Sequence, residues 1–218
     1  MNAGLTNLDT LKKHLLPSTL TGEPRFDTVI QTLGLGVAAW FDQYCNRRFG
    51  WLEDDTMVFS GDRPHYYLPR FPVSVVTRVE MRYFQTDNWT EITGQPINVN
   101  YETGLIHFGY FLGRWPLQVR ATWSGGYWFE PLEPDDDGYP SDAPTLPADA
   151  NIPPARAFLL PNDLRAAFLT QCQHGWDLRD KLGAGLADKP KTQTDLEDFK
   201  LVPMVKQILQ QYVRYQLS

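Results

Sequence analysis

The stretch YYLPRFPVSVVTRVEMRYF, residues 66–84, decides the fold. It alternates in polarity and is rich in β-branched and aromatic residues, as strands are. Pro69 and Pro72 suit a bend or a sheet edge, because proline cannot donate to a central ladder. More strands follow. INVNYETGLIHFG (97–109) reads as a hairpin that turns at ETG, and LQVRATWSGGYW (117–128) as a strand ended by Gly125 and Gly126. Residues 57–129 are therefore expected to form a small antiparallel β unit.

Helical periodicity flanks this unit. Leu8, Leu11 and Leu15 recur at helical spacing, with Thr6 and Asp9 as a capping box and Pro17 just past the end. Phe26, Ile30, Leu33, Val37, Phe41 and Tyr44 mark one stripe of a longer helix over 25–46. Gly34 and Gly36 interrupt it, either to admit another backbone or as tolerated defects. Leu164, Phe168, Cys172 and Trp176 mark a third helix, capped by Asn162 or Asp163. A last helix starts near Pro203, with Val205, Ile208, Leu209, Tyr212 and Tyr215 on one face. The expected fold class is α+β: mainly a helical bundle of about four helices, with the β unit inserted between the second and third. The expected division is 1–56 (N-terminal helices), 57–129 (β unit), 130–157 (extended loop) and 158–218 (C-terminal helices). Residues 130–157 hold seven Pro and seven acidic residues against one basic residue, a composition that favours an extended loop.

Bulk composition narrows the function classes. The chain has 218 residues, net charge −6 and pI about 5.2, which argues against a dedicated nucleic-acid binder. Its two cysteines, Cys45 and Cys172, form no CxxC motif, and two buried thiols in a reducing compartment are expected. No basic leader with an apolar core opens the chain, and no apolar run approaches ~20 residues. The expectation is a protein made in a cytoplasm, with no membrane partner.

Few constellations carry chemistry. FDQYCNRRFG (41–50) admits two readings, a reactive Cys45 beside a phosphate clamp of Arg47 and Arg48, or a helix end. The second is favoured, since a helix C-terminus opposes a thiolate and attracts cations, with Gly50 as a left-handed stop. His14, His65, His107 and His174 are scattered and make no metal motif. PDDDG (134–138) lacks the spacing of a calcium loop, and no P-loop, GxSxG or HExxH occurs. No cofactor or enzymatic activity is expected. Trp115, Trp123, Tyr127, Trp128 and Phe129 either form the core and collar of the sheet, the favoured reading, or a stacking surface for sugars or a receptor.

The order of these motifs resembles the head–tail connector proteins of tailed bacteriophages, also called adaptor or head-completion proteins. LTNLDTLKKHLL (5–16) and FDTVIQTLGLGVAAWFDQYCNRRF (26–49) are similar to that family's opening helices. YYLPRFPVSVVTRVE, VRATWSGGY, LPNDLRAAFLTQCQHGWDLRDKLG and LVPMVKQILQQYVRY are similar to the elements that follow. Residues 130–157 and about 184–200 depart from the pattern. The resemblance implies a structural virion protein of the neck, assembled in the host cytoplasm and not an enzyme. It implies a ring, typically dodecameric, beneath the portal protein, with a stopper or tail-completion protein docked on it. Double-stranded DNA would pass through the lumen without sequence-specific binding. The resemblance assigns portal binding to the C-terminal region, where Leu209, Tyr212, Arg214, Tyr215 and Leu217 are the candidates; the alternative is that Leu209 and Tyr212 simply pack on the first helices. Arg47 and Arg48 are candidate inter-subunit contacts. The competing reading is an aromatic-rich carbohydrate- or receptor-binding module, and a third is a hydrolase built on Cys45.

Overall fold

The computed structural model describes residues 3–93, 97–108, 117–128, 158–178 and 200–214. The expectations for the loop 130–157, the connector near 184–200, and Trp115, Phe129, Tyr215 and Leu217 lie outside these residues. The chain divides into two compact units: Met1–Arg47 with Leu160–Ser218, and Arg48–Leu159.

The first unit is helical. Helix α1 (Leu8–Leu15) is capped by Asn7, whose Oδ1 accepts the Thr10 N–H at 2.7 Å. The expected cap, Thr6, is instead buried ahead of the helix, and its carbonyl accepts the Ala3 N–H at 2.9 Å. A 3₁₀ turn (Pro24–Phe26) leads into α2 (Asp27–Cys45). Lys12 of α1 and Asp27 of α2 form an ion pair at 2.5 Å. The buried stripe of α2 is Ile30, Gly34, Val37, Phe41 and Cys45, so Leu33 and Tyr44 sit at its margins. Helix α3 (Asn162–Asp177) buries Leu164, Phe168, Cys172 and Trp176, as its spacing predicts. Its N-cap is Pro161 without a side-chain cap, rather than Asn162 or Asp163; Asp163 lies in the first turn. Phe41 meets Phe168 edge-on, with ring centroids 6.0 Å apart. Helix α4 (Pro203–Leu209) begins with its proline, and a 3₁₀ turn (Gln210–Tyr212) follows.

The end of α2 departs from expectation. The left-handed residue is Asn46, with φ 51°, not Gly50. Asn tolerates that conformation better than other side chains, and it closes the helix here. The Arg47 N–H then reaches back to the Asp42 carbonyl at 3.1 Å.

The second unit is a β structure in its own right, and it overturns the expectation of a mainly helical bundle. Seven strands in two antiparallel sheets make strand about as abundant as helix among the described residues. One sheet runs β1 (Leu52–Ser60), β7 (Gln118–Gly125), β3 (Val73–Arg82), β4 (Thr90–Glu91). The other runs β2 (His65–Tyr67), β6 (Leu105–Phe108), β5 (Ile97–Asn100). Two features hid this weight. β1 starts before the alternation at Met57 because a bulge between Leu52 and Asp55, with Asp54 at φ 48°, breaks its pattern. The quoted stretch also serves both sheets: Tyr66 and Tyr67 belong to β2, Val73 onward to β3, and Leu68–Pro72 crosses between them. Two prolines fit that crossing because it needs no ladder donors at those positions.

The core of this unit lies between the sheets. Phe59, Val73, Val79, Val119, Ala121 and Trp123 face Leu68, Ile106 and Phe108 in one buried cluster. The Trp123 Nε1–H donates to the Arg70 carbonyl at 3.0 Å, so the ring is buried without an orphaned donor. The hairpin β5–β6 forms as its sequence predicts. Asn100 Oδ1 accepts the Glu102 and Thr103 N–H groups, and Gly104 takes φ +69°.

Candidate functional site

The C-terminal candidates gather at one end of the helical unit, where α2 stops and α3 starts. Leu209 is fully buried, and its carbonyl lies 3.5 Å from Cys45 Sγ. Tyr212 is half-buried, and its hydroxyl donates to Asp163 at 2.8 Å from Oδ1 and 3.0 Å from Oδ2. The half-buried Arg214 is tied by its backbone, whose N–H donates to the Cys45 carbonyl at 2.9 Å. The structure thus brings Leu209, Tyr212 and Arg214 together.

The segment that enters α4 is held by Gln171. This side chain is fully buried in α3; its Nε2 donates to the Lys200 carbonyl at 3.1 Å and its Oε1 accepts the Val202 N–H at 2.9 Å. One amide thereby satisfies two backbone groups of the incoming chain. Gln171 is the residue that sequence reasoning missed here; the sequence reads Asp163 only as a helix cap, not as the partner of Tyr212. Gln171 had one signal available, a polar residue on the stripe that Phe168 and Cys172 mark.

Arg47 is buried, with 6% of its surface exposed. Arg48 extends toward Asp55 at 3.4 Å and keeps about half its side chain exposed, at 52%. Arg70 holds the same carboxylate at 2.8 Å through Nε and also donates to the Gly50 carbonyl. Asp55 is 8% exposed, so Arg70 is its buried partner and Arg48 its outer one.

Neither cysteine suits nucleophilic chemistry. Burial pushes the Cys45 thiol up from 9.0 to about 12, against the opposing pull of Arg47, and Asp42 adds to the rise. Burial alone pushes Cys172 up to about 12. A thiol kept protonated is a poor nucleophile. The aromatic candidates in the described residues do not form an open platform. Trp123 is core, Trp128 meets Trp51 edge-on at 6.1 Å, and Tyr127 stacks on Phe49 at 6.4 Å.

Apolar surface is exposed elsewhere. Val29 (42%) and Leu35 (48%) lie on the face of α2 opposite its core stripe, and Gly36 and Ala39 are exposed there too. No helix among the described residues is long and apolar enough to cross a membrane.

No family model matches this chain, and no curated protein matches it. Among solved structures it is similar to a chain from the neck of an empty GTA (gene transfer agent) particle computed with C6 symmetry. The TM-score is 0.61 at 13% identity, covering 100% of this chain and 95% of that one. It is also similar to a chain from the neck of a native GTA particle computed with C12 symmetry, with TM-score 0.53, 12% identity, and coverage of 100% and 94%. At such identities the likeness establishes a shared fold.

Proposed function

We propose that this protein is a structural component of the neck of a phage-like particle, a ring-forming connector between head and tail. The observation that carries this reading is the end-to-end similarity of fold to a chain of a GTA particle neck. The order of sequence motifs supports the same reading independently. A second observation favours a ring: Val29 and Leu35 of α2 are exposed beyond its core stripe. Apolar side chains left exposed on a helix face can be covered by a neighbouring subunit. A heterologous contact repeated around an axis closes a ring without leaving such a face exposed.

In finer detail, the ring sits beneath the portal, in a dodecamer, and lets DNA through an anionic lumen that phosphates do not adhere to. The C-terminal segment reaches the portal through Tyr212, Arg214, Tyr215 and Leu217, with Leu209 as its buried anchor. Tyrosine and arginine are favoured interface anchors. Arg48, the exposed member of its pair, is the inter-subunit contact of choice, and a stopper or tail-completion protein docks on the distal face.

The experiment is reconstitution. Portal-bearing heads are mixed with the full chain and imaged by electron microscopy, beside a variant lacking residues 215–218 and carrying Arg214→Ala. Removal of all of α4 is unsuitable, because Val205 and Leu209 are core residues. The full chain should add a ring of density at the portal vertex, and the variant should not. Heads that never acquire density from the full chain would overturn the neck assignment. Normal decoration by the variant would overturn the portal contact of Arg214, Tyr215 and Leu217 alone.

A further inference from the structure

Two of the four histidines, far apart in sequence, meet in space. His65 of β2 and His107 of β6 are directly opposite in the antiparallel register. The ladder around them identifies the kind of pair. The Phe108 N–H donates to the Pro64 carbonyl at 2.8 Å, which places the hydrogen bond beside the His65–His107 pair rather than within it. Likewise, the Leu68 N–H bonds the Gly104 carbonyl at 2.8 Å, flanking Tyr67 and Leu105. His65 and His107 are therefore a non-hydrogen-bonded pair, the closer of the two antiparallel types, with Cα atoms about 4.5 Å apart. Both are exposed, and alternation puts them on the outer face, since Tyr66, Ile106 and Phe108 point to the core. Asn98 lies opposite His107 on its other side and shares a shallow groove with it.

We propose that His65 and His107 form a two-histidine site for a borderline transition-metal ion, with copper(II) held more tightly than nickel(II) or zinc(II). Two imidazoles on adjacent strands at the closer spacing can each bring one nitrogen to about 2.0–2.1 Å from a shared ion. Imidazole suits zinc, nickel and copper, and affinity in an N-donor site peaks at copper(II). The rigid sheet fixes the two side chains' roots, so little backbone order is lost on binding. Asn98, opposite His107 in the register, can offer its amide oxygen as a further donor, and water fills the remaining positions. Among the described residues no group of three or more His, Cys, Asp or Glu gathers as a metal site. The His65–His107 site therefore binds with moderate affinity and exchanges its ion. Protons compete for the same nitrogens, so binding weakens as pH falls.

The test uses the full chain without a histidine tag. Copper(II), zinc(II) and magnesium are titrated by calorimetry, and the histidine ring resonances are followed by NMR with zinc. The expected result is one saturable zinc(II) or copper(II) ion at this pair, no magnesium binding, and zinc-induced shifts of the His65 and His107 signals. His65→Ala and His107→Gln should each weaken binding about tenfold or more, while His14→Ala leaves it unchanged. Both positions are exposed, and far-UV circular dichroism checks that the variants stay folded. Absence of saturable binding, or full affinity retained in both variants, would overturn the site.

Discussion

Gly4 and Gly34 approach so closely that neither position has room for a side chain. A Cβ on Gly34 would lie 2.2 Å from the Ala3 carbonyl oxygen, and one on Gly4 would lie 2.5 Å from the Gly34 carbonyl oxygen. Gly4 also takes φ +94°, a conformation other residues resist. Gly36, two residues further along α2, would meet nothing within 4 Å. Gly34→Ala should therefore destabilise the protein by about 1–3 kcal/mol through overpacking. Gly36→Ala should stabilise it by about 0.5–1 kcal/mol through helix propensity. Chemical denaturation of both variants checks the opposite signs.

Two arginines on one carboxylate should differ in weight. Arg70→Ala leaves the buried Asp55 without its close partner and should cost about 3 kcal/mol or more. Arg48→Ala removes a longer, exposed contact and should cost less than about 1 kcal/mol. Equal costs would show that burial does not rank the two interactions. If Arg48 also crosses to a neighbouring subunit, its variant should fold normally and lose ring assembly.

Gln171 should behave as a latch. Gln171→Leu strands the Lys200 carbonyl and the Val202 N–H and should cost about 1–3 kcal/mol. Hydrogen exchange at the Val202 amide should speed up well before the amides of α2 do. Global unfolding with no local change at Val202 would count against a local role.

Both thiols should label only when the chain unfolds, at a rate that tracks unfolding. Their raised pKa values also set a pH dependence. The unfolded chain ionises its cysteines near 9.0, whereas the folded chain holds them to about 12. Stability from this source is complete below pH 9 and declines between about pH 9 and 12, by up to about 1.4 kcal/mol per pH unit for each thiol. Cys45→Ala with Cys172→Ala should flatten that decline in urea midpoints measured against pH.

Leu35→Glu tests the second face of α2. The side chain is 48% exposed, so the monomer should keep its fold and stability within about 0.5 kcal/mol. Ring formation on portal-bearing heads should be lost. Rings that form normally would remove α2 from the subunit contact.

The helices were legible because their apolar residues recur at a period that only a helix satisfies. Leu164, Phe168, Cys172 and Trp176 are the clearest case, and Pro203 is the clearest start. Strand positions were legible in the same way at Val73–Arg82 and in the 97–108 hairpin. The balance between the two classes was not. β1 carries a bulge that breaks alternation at Asp54, and β2 is only three residues long, so the β unit read as an insertion rather than as half of the structure.

Local order along the chain determined where helices, turns and most strands lie, because periodicity, proline and glycine act on neighbours. Only the tertiary structure decided which residues meet across it. Cys45, Asp163 and the segment Tyr212–Arg214 are separated by long stretches of chain and gather at one end of the helical unit. His65 and His107 become neighbours through strand register alone. Register is set by which face each strand buries, a long-range property that no single segment encodes.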